Sequence, residues 1–418
     1  MRIPFLPLFL LLLLLLLLPL NAQACTSFKV TRDGRTIVGN NEDAWSINAQ
    51  VRFEQGKDGA FGAIYFGHFN GSPMRSMTDQ IGMNEAGLVF DGLVVQPVAP
   101  RVRKGKRFIP FDDLMPMVMR TCATVHEAAA VFRTCDLGWL THAMLFLVDR
   151  NGDHLIVEAD TMIIGSDPAF ALGNWRMSTC TDPDAIPMPR LQKGRALLAA
   201  GADTTLERGA EVLHSMVACR KKMGEGTLFS TLFDTRNGDV DLWFYHDFGE
   251  KVRFKLKDEL AKGDRVIPMA SLFTPSGEYE ALQRYITPFH QRWLWWTLVV
   301  LVGAAILVGL VCAVLFTVRG VRRLFRNPIG RLMPMWWLGM TCFVFVLITG
   351  FLLLKEGVYY FGLGDVEPFA AWLPVVLVVL LSLLVWTSRH APRWRLAIGA
   401  LVALPYLALL GYWDLLWP

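Results

Sequence analysis

Two hydrophobic patterns divide this chain. From residue 25 to about residue 292, short apolar runs alternate with charges and turn residues; beyond Trp293, long apolar stretches follow one another. In the first region "TSFKV" and "RTIVG" flank Asp33-Gly34, a pairing that predicts a β-hairpin. The same pattern recurs in "AMLFLVDRNGDHLIVEAD" around Asn151-Gly152 and in "TLFSTLFDTRNGDVDLWFYHDF" around Asn237-Gly238. A further strand pair is expected across "GMNEAGLVFDGLVV". Helical periodicity marks "FDDLMPMVMRTCATVHEAAAVFRTC" and "LQKGRALLAAGADTTLERGAEVLHSMVACRK". Strands and helices in this order predict an α+β domain of antiparallel sheets with helices packed outside.

The second region holds apolar segments at roughly 293–318, 333–354, 368–386 and 396–410. They predict four transmembrane helices, since crossing a hydrocarbon core takes about 20 helical residues. Arg319, Arg322, Arg323, Arg326 and Arg331 lie between the first two, and Arg389, Arg393 and Arg395 between the last two. The middle connection instead carries Lys355, Glu356, Asp365 and Glu367. Basic loops stay on the cytoplasmic side, so the first region, the acidic loop and the C-terminus are expected outside. Residues 1–24 agree: Arg2, a leucine run, Pro19 and then Ala-Gln-Ala have the layout of a secretory signal peptide cut after Ala24. The expected organisation is a signal peptide at 1–24, a domain at 25–264, a tether at 265–292 and a membrane domain at 293–418.

Composition adds little beyond this. The net charge of +4 comes largely from the cytoplasmic arginines and implies no nucleic-acid partner. Seven cysteines include no CxxC pair or His/Cys cluster, so no metal or other cofactor is expected. Cys122, Cys135, Cys180 and Cys219 fall in the exported region, where disulfides persist, and allow three pairings. Cys25 is left over, at the new chain start.

A terminal cysteine carries a thiol and an α-amine on one residue. The thiol is mostly protonated at neutral pH and needs a base, which a neutral α-amine supplies. This also fits the eight histidines, none in a nucleophile-and-base pattern. Lipid modification would call for Leu or similar at position 22, which holds Ala. A strand starting at Cys25 would hold the nucleophile rigidly. Acyl transfer further requires donors for an oxyanion, and "GRTIVGNNEDAW" and "FALGNWRM" supply Asn40, Asn41, Asp43 and Asn174.

The run "CTSFKV…DGRTIVGNNEDAW" resembles the opening of the linear amide C–N hydrolases, the choloylglycine hydrolases, penicillin V acylases and acyl-coenzyme A:isopenicillin N acyltransferases. "GMNEAGLVFDGL", "LGNWRM" and "GTLFSTLFDTRNGDVDLWF" resemble later motifs of that family, in order, between Cys25 and about Leu260. The resemblance implies a four-layer αββα N-terminal nucleophile hydrolase domain. It makes Cys25 the nucleophile and base, Asp43 the support of amine and thiol, and Asn174 an oxyanion donor. A late family arginine corresponds to Arg190 or Arg195; Arg195, on the helical stretch, is the one carried as a candidate. Asn41 and Asn84 are the candidate substrate-side residues, Asn84 matching a turn position. The chain departs from the family at Asn40, where the family has arginine, and at Val94, where a second oxyanion asparagine is expected. The implied activity is hydrolysis of an N-acyl amide, lipid-like where the membrane segments present it. Transfer of the acyl group to another amine, or a silent ligand-binding ectodomain, are the alternatives.

Overall fold

The computed structural model describes residues 25–44, 48–68, 77–99, 105–201, 203–218, 226–323, 333–366, 368–388 and 393–417. The signal peptide expected at residues 1–24 therefore lies outside the described residues. Contacts divide the chain near residue 284 into an N-terminal and a C-terminal unit.

Among the described residues, fourteen strands build the N-terminal unit. β1 (Thr26–Arg32) and β2 (Arg35–Asp43) form the expected hairpin, and Asp33 and Gly34 both take positive φ, +52° and +68°. That is the two-residue turn whose twist matches the strands it joins. β3 (Ala49–Glu54), β4 (Ala63–His68), β5 (Thr78–Asn84), β6 (Val89–Val94), β7 (Ala143–Val148), β8 (His154–Val157) and β9 (Met162–Gly165) follow. β10 (Ala169–Gly173), β11 (Thr227–Asp234), β12 (Asp239–Phe244), β13 (Asp247–Lys255) and β14 (Arg265–Pro268) complete the set. Two antiparallel sheets result. One runs β10-β1-β2-β11-β12-β13, the other β14-β3-β4-β5-β6-β7-β8-β9.

Each helical stretch of the sequence breaks into a pair: α1 (Phe111–Thr121) and α2 (Val125–Thr134), then α3 (Pro189–Ala199) and α4 (Leu206–Ser215). The breaks are chemical. Thr124 opens α2 with a capping box to Glu127, and the Thr205 hydroxyl caps α4. Leu114, Val118, Ala128 and Phe132 of α1 and α2 bury against Tyr65, Phe90, Leu145 and Leu155 on one face of the larger sheet. Leu191, Leu198, Val212 and Leu213 of α3 and α4 bury against Phe28, Ile37, Ala171 and Leu232 of the smaller sheet. The two remaining sheet faces meet each other, with Phe66 against Phe229 and Phe233, and Phe146 against Phe170. The layers are thus helix, sheet, sheet, helix. Alternation sets each residue's layer: on β2, Ile37, Gly39 and Asn41 face α3 and α4, while Val38, Asn40 and Glu42 face the inter-sheet core.

Two expectations are corrected here. The proposed tether starts inside the fold: β14 pairs with β3, and the helix Gly277–Arg284 packs Tyr279 on Phe244, so the unit continues to Arg284. The exported cysteines do not pair among the described residues. Cys122 and Cys135 follow α1 and α2 as buried free thiols and Cys180 is free, while Cys219 lies outside the described residues.

In the C-terminal unit, three helical segments are long and apolar enough to cross a membrane: Arg292–Val318, Met335–Leu354 and Phe369–Thr387. The fourth expected span is also a helix, Arg393–Tyr412, which contains Pro405; the described residues support three spans and not clearly four. The Thr349 hydroxyl bonds back to the Phe345 carbonyl and meets the Tyr406 hydroxyl at 2.8 Å, while among the described residues Thr341 bonds only back to Trp337.

Candidate active site

The site forms where three neighbouring strands end. The register of β1 pairs Thr26 with Asn41 on one side and with Gly173 on the other. Cys25 directly precedes β1 and reaches Glu42 on β2, while Asn174 directly follows β10, the strand on the other side of β1. Glu42 faces the inter-sheet core and takes the Cys25 thiol, and Asn174 bonds to Val94 at the end of β6 in the other sheet, so these side chains belong to the inter-sheet layer. They are buried, at 4%, 4% and 5% exposure, so the nucleophile lies below the surface. In the full-length chain Cys25 holds φ at +64°, uncommon for a residue with a side chain.

The Cys25 thiol donates to Glu42 Oε2 at 3.2 Å. Asp43, next along, is held by the Thr227 hydroxyl at 2.7 Å and pairs through its other oxygen with the Arg190 guanidinium. Asp91 enters from β6 of the opposite sheet and accepts from Asn40 Nδ2 at 2.7 Å. Three carboxyl groups therefore surround one thiol. Burial lifts the Cys25 thiol well above its ordinary pKa, and Glu42, Asp43 and Asp91 add to this, against a hydrogen bond from the Asp43 backbone. Burial also raises Glu42 well above the carboxylate range, with Asp91 adding to it. Asp91 is pushed up to about 7, by burial that outweighs hydrogen bonds from Asn40 and Ser27. The arginine that the family resemblance would place at residue 40 would oppose these effects; Asn40 instead binds Asp91.

Asn174 Nδ2 donates to the Val94 carbonyl at 2.6 Å, and Gln96 Nε2 to the Asn174 carbonyl at 3.1 Å. Arg176 ties this corner together. Its side chain donates to the Gln96, Leu140 and Thr141 carbonyls, and its backbone N–H to the Gln96 side chain. Asn174 has one amide hydrogen left for a ligand, and its Oδ1 is buried without a partner. At Val94 the backbone presents an acceptor to this corner, not the donor expected there.

Three sequence candidates stand elsewhere. Asn41 lies on the opposite face of β2 from Glu42. Its side chain is taken up by Ser230, the Leu213 carbonyl and Thr26. Asn84 faces α1, where its amide donates to the Met119 and Cys122 carbonyls and its oxygen accepts from Leu88 N. That is a tie between a turn and a helix end. Arg195 pairs with the exposed Asp184 at 3.2 Å and lines a surface cavity of about 460 Å³ with Phe170 and Gln192. Arg190, one turn earlier on α3, is the arginine that reaches Asp43. The sequence reading passed over Glu42 and Asp91, both acids in the inter-sheet layer.

No protein-family model matches the chain. No curated protein matches it either. Solved structures do. A mutant of conjugated bile acid hydrolase from Clostridium perfringens is 15% identical with a TM-score of 0.45, covering 60% of this chain and 97% of that one. A second variant of that enzyme gives 14% and 0.45, over 58% and 96%. Penicillin V acylase from Agrobacterium tumefaciens gives 14% and 0.45, over 58% and 90%.

The raised carboxyl at Asp91 has a consequence for stability. Between the ordinary aspartate range near pH 4 and about 7, the folded chain holds a proton that the unfolded chain has lost. Stability contributed by this group is present below about pH 4 and is lost as pH rises through about 7. Asp91→Asn should remove that part of the slope, on the order of a few kcal/mol. Thermal unfolding of wild type and variant at about pH 4.5 and about pH 7.5 measures it; parallel losses in both proteins would refute the assignment.

Proposed function

We propose that this protein is an amide hydrolase of the N-terminal nucleophile type, anchored to a membrane with its catalytic unit on the outer side. Once residues 1–24 are removed, Cys25 attacks the carbonyl carbon of an N-acyl amide and forms a thioester as the amine leaves. Water then releases the acid. Asn174 donates to the oxyanion, and Asp43, fixed by Arg190 and Thr227, steadies the start of the chain. The observation that supports this reading is the Cys25 thiol bonded to Glu42 at the end of a central hairpin, with Asn174 following the adjacent strand β10. A nucleophile, a proton acceptor and an amide donor meet there on one rigid sheet. The apolar helices that follow favour a lipid-like acyl amide presented at the bilayer. The test has two arms: N-terminal sequencing of the mature protein, and mass spectrometry of products from N-acyl amides of graded chain length. A mature chain starting at Cys25, and equal release of acid and amine, are expected. A blocked or different N-terminus, or no acid released from any amide, refutes the reading.

A further inference from the structure

The amidase reading above leaves the charge of the substrate open, and the balance of donors and acceptors around Cys25 bears on it. Among the described residues, three buried oxygens near the thiol accept from no donor: Asn40 Oδ1, Asp91 Oδ1 and Asn174 Oδ1. Their residues are 0%, 0% and 5% exposed. A buried acceptor left unpaired costs free energy, which a donor on a ligand recovers. Charge is unbalanced as well. Glu42 takes the Cys25 thiol and Asp91 takes Asn40, and neither acid forms an ion pair among the described residues. The nearby cations are engaged: Arg190 with Asp43, Arg176 with Glu158 and three carbonyls, and Lys29 with the Gly152 carbonyl. Burial keeps Glu42 protonated well above the carboxylate range, whereas Asp91, pushed up to about 7, ionises from near neutrality upward. The two acids then hold a negative charge with no positive group opposite. The α-amine of residue 25, in the neutral form that acts as base, brings two hydrogens and no charge.

We infer that this site takes an N-acyl amide whose amine half carries a second, protonated amino group, and that Asp91 receives that ammonium. The inference rests on the amidase reading and names its substrate class. An ammonium supplies both things this corner lacks, a positive charge and up to three N–H donors. Asp91 Oδ1 accepts one of them, and Asn40 Oδ1, on the residue that already holds Asp91, accepts a second. The acyl half of a lipid-like amide is hydrocarbon with no donor to offer, so the charge belongs to the amine half. The two ends of the scissile group are then gripped from different sheets. Asn174, which follows β10, donates to the carbonyl oxygen, while β6 of the opposite sheet presents Asp91 to the ammonium. A hydroxyl in place of the ammonium fills one acceptor and leaves the Asp91 charge unpaired. A carboxylate there meets like charge in a buried site, where repulsion is weakly screened. Asp91 is therefore the residue that sets specificity, with cationic amides preferred over neutral ones and neutral over anionic.

Three amides of one acyl chain and similar size test this in the full-length, processed protein: N-decanoyl ethylenediamine, N-decanoyl ethanolamine and N-decanoyl glycine. Released decanoic acid is measured by mass spectrometry at about pH 7.5, where the free amino group of the first is protonated. Its kcat/KM should exceed that of the ethanolamine amide by at least about 30-fold, the scale of a buried charge pair losing one partner. The glycine amide should be the slowest. Asp91→Asn keeps the shape and removes the charge, and should bring the cation-to-neutral ratio to within about threefold of one. The readout is a ratio, so a merely structural role, which lowers both substrates alike, would leave it unmoved. Wild-type protein that cleaves the ethanolamine amide as well as the ethylenediamine amide overturns the inference and leaves the amidase reading standing. That comparison needs no variant, so it decides the inference even where Asp91→Asn is inactive. A folded, active Asp91→Asn that keeps the preference overturns the role given to Asp91. Release of acid from none of the three, nor from other N-acyl amides, sinks the amidase reading and the substrate class with it.

Discussion

Replacing Cys25 by alanine is expected to abolish amide hydrolysis, and replacing it by serine to lower kcat by at least about 10³-fold. Alanine removes the atom that forms the acyl intermediate. Serine keeps the geometry but offers a hydroxyl far less acidic than a thiol, in a pocket whose acids already hold the sulfur proton in place. Neither change should unfold the protein, since residue 25 lies beside a strand end and alanine loses one heavy atom while serine only exchanges one. Product quantification by mass spectrometry, with circular dichroism to confirm the fold, separates the two effects. Acid release from the alanine variant at more than background would mean that another group performs the attack, and the proposed chemistry would fail at its first step.

Much of this site follows from one turn. A two-residue turn at Asp33-Gly34 pairs Arg32 with Arg35, and stepping back symmetrically pairs Thr26 with Asn41, beside which Cys25 reaches Glu42. The hairpin was legible in the sequence; the partner of Cys25 was there to be counted as well. Asn41 drew attention because asparagine suits an oxyanion, yet alternation along β2 turns it toward α4. Asn84, matched to a turn position, does tie a turn to α1, while Arg195 faces Asp184 at the surface, a direction that residue type does not give. Asp91 was out of reach, and the choice of Arg190 over Arg195 could not be made. Each arrives from an element distant in sequence, β6 of the other sheet or α3, and only sheet stacking and helix packing bring them in. The membrane segments show the converse: apolar length alone marked the helices Arg292–Val318, Met335–Leu354 and Phe369–Thr387.

Arg190→Ala should destabilise the N-terminal unit by about 3–5 kcal/mol, whereas Arg195→Ala should cost no more than about 1 kcal/mol. The two arginines sit on the same helix, and their environments decide the difference. Arg190 and its partner Asp43 have side chains 14% and 6% exposed. Removing the guanidinium strands a buried carboxylate whose remaining side-chain contact is the Thr227 hydroxyl. Arg195 meets Asp184, which is 82% exposed, and water compensates for the lost pair. A melting temperature lowered by roughly 10 °C is expected for the first variant and little change for the second. Hydrolysis should also fall with Arg190→Ala, because the Asp43 backbone hydrogen bond to the Cys25 sulfur depends on where Asp43 is held. Adding Asp43→Asn to Arg190→Ala removes the stranded charge and should recover much of the stability but not the activity. If the double variant melts no higher than Arg190→Ala alone, or if Arg195→Ala proves the more damaging, then the buried pair does not anchor the site, and Asp43 must be held by its strand alone.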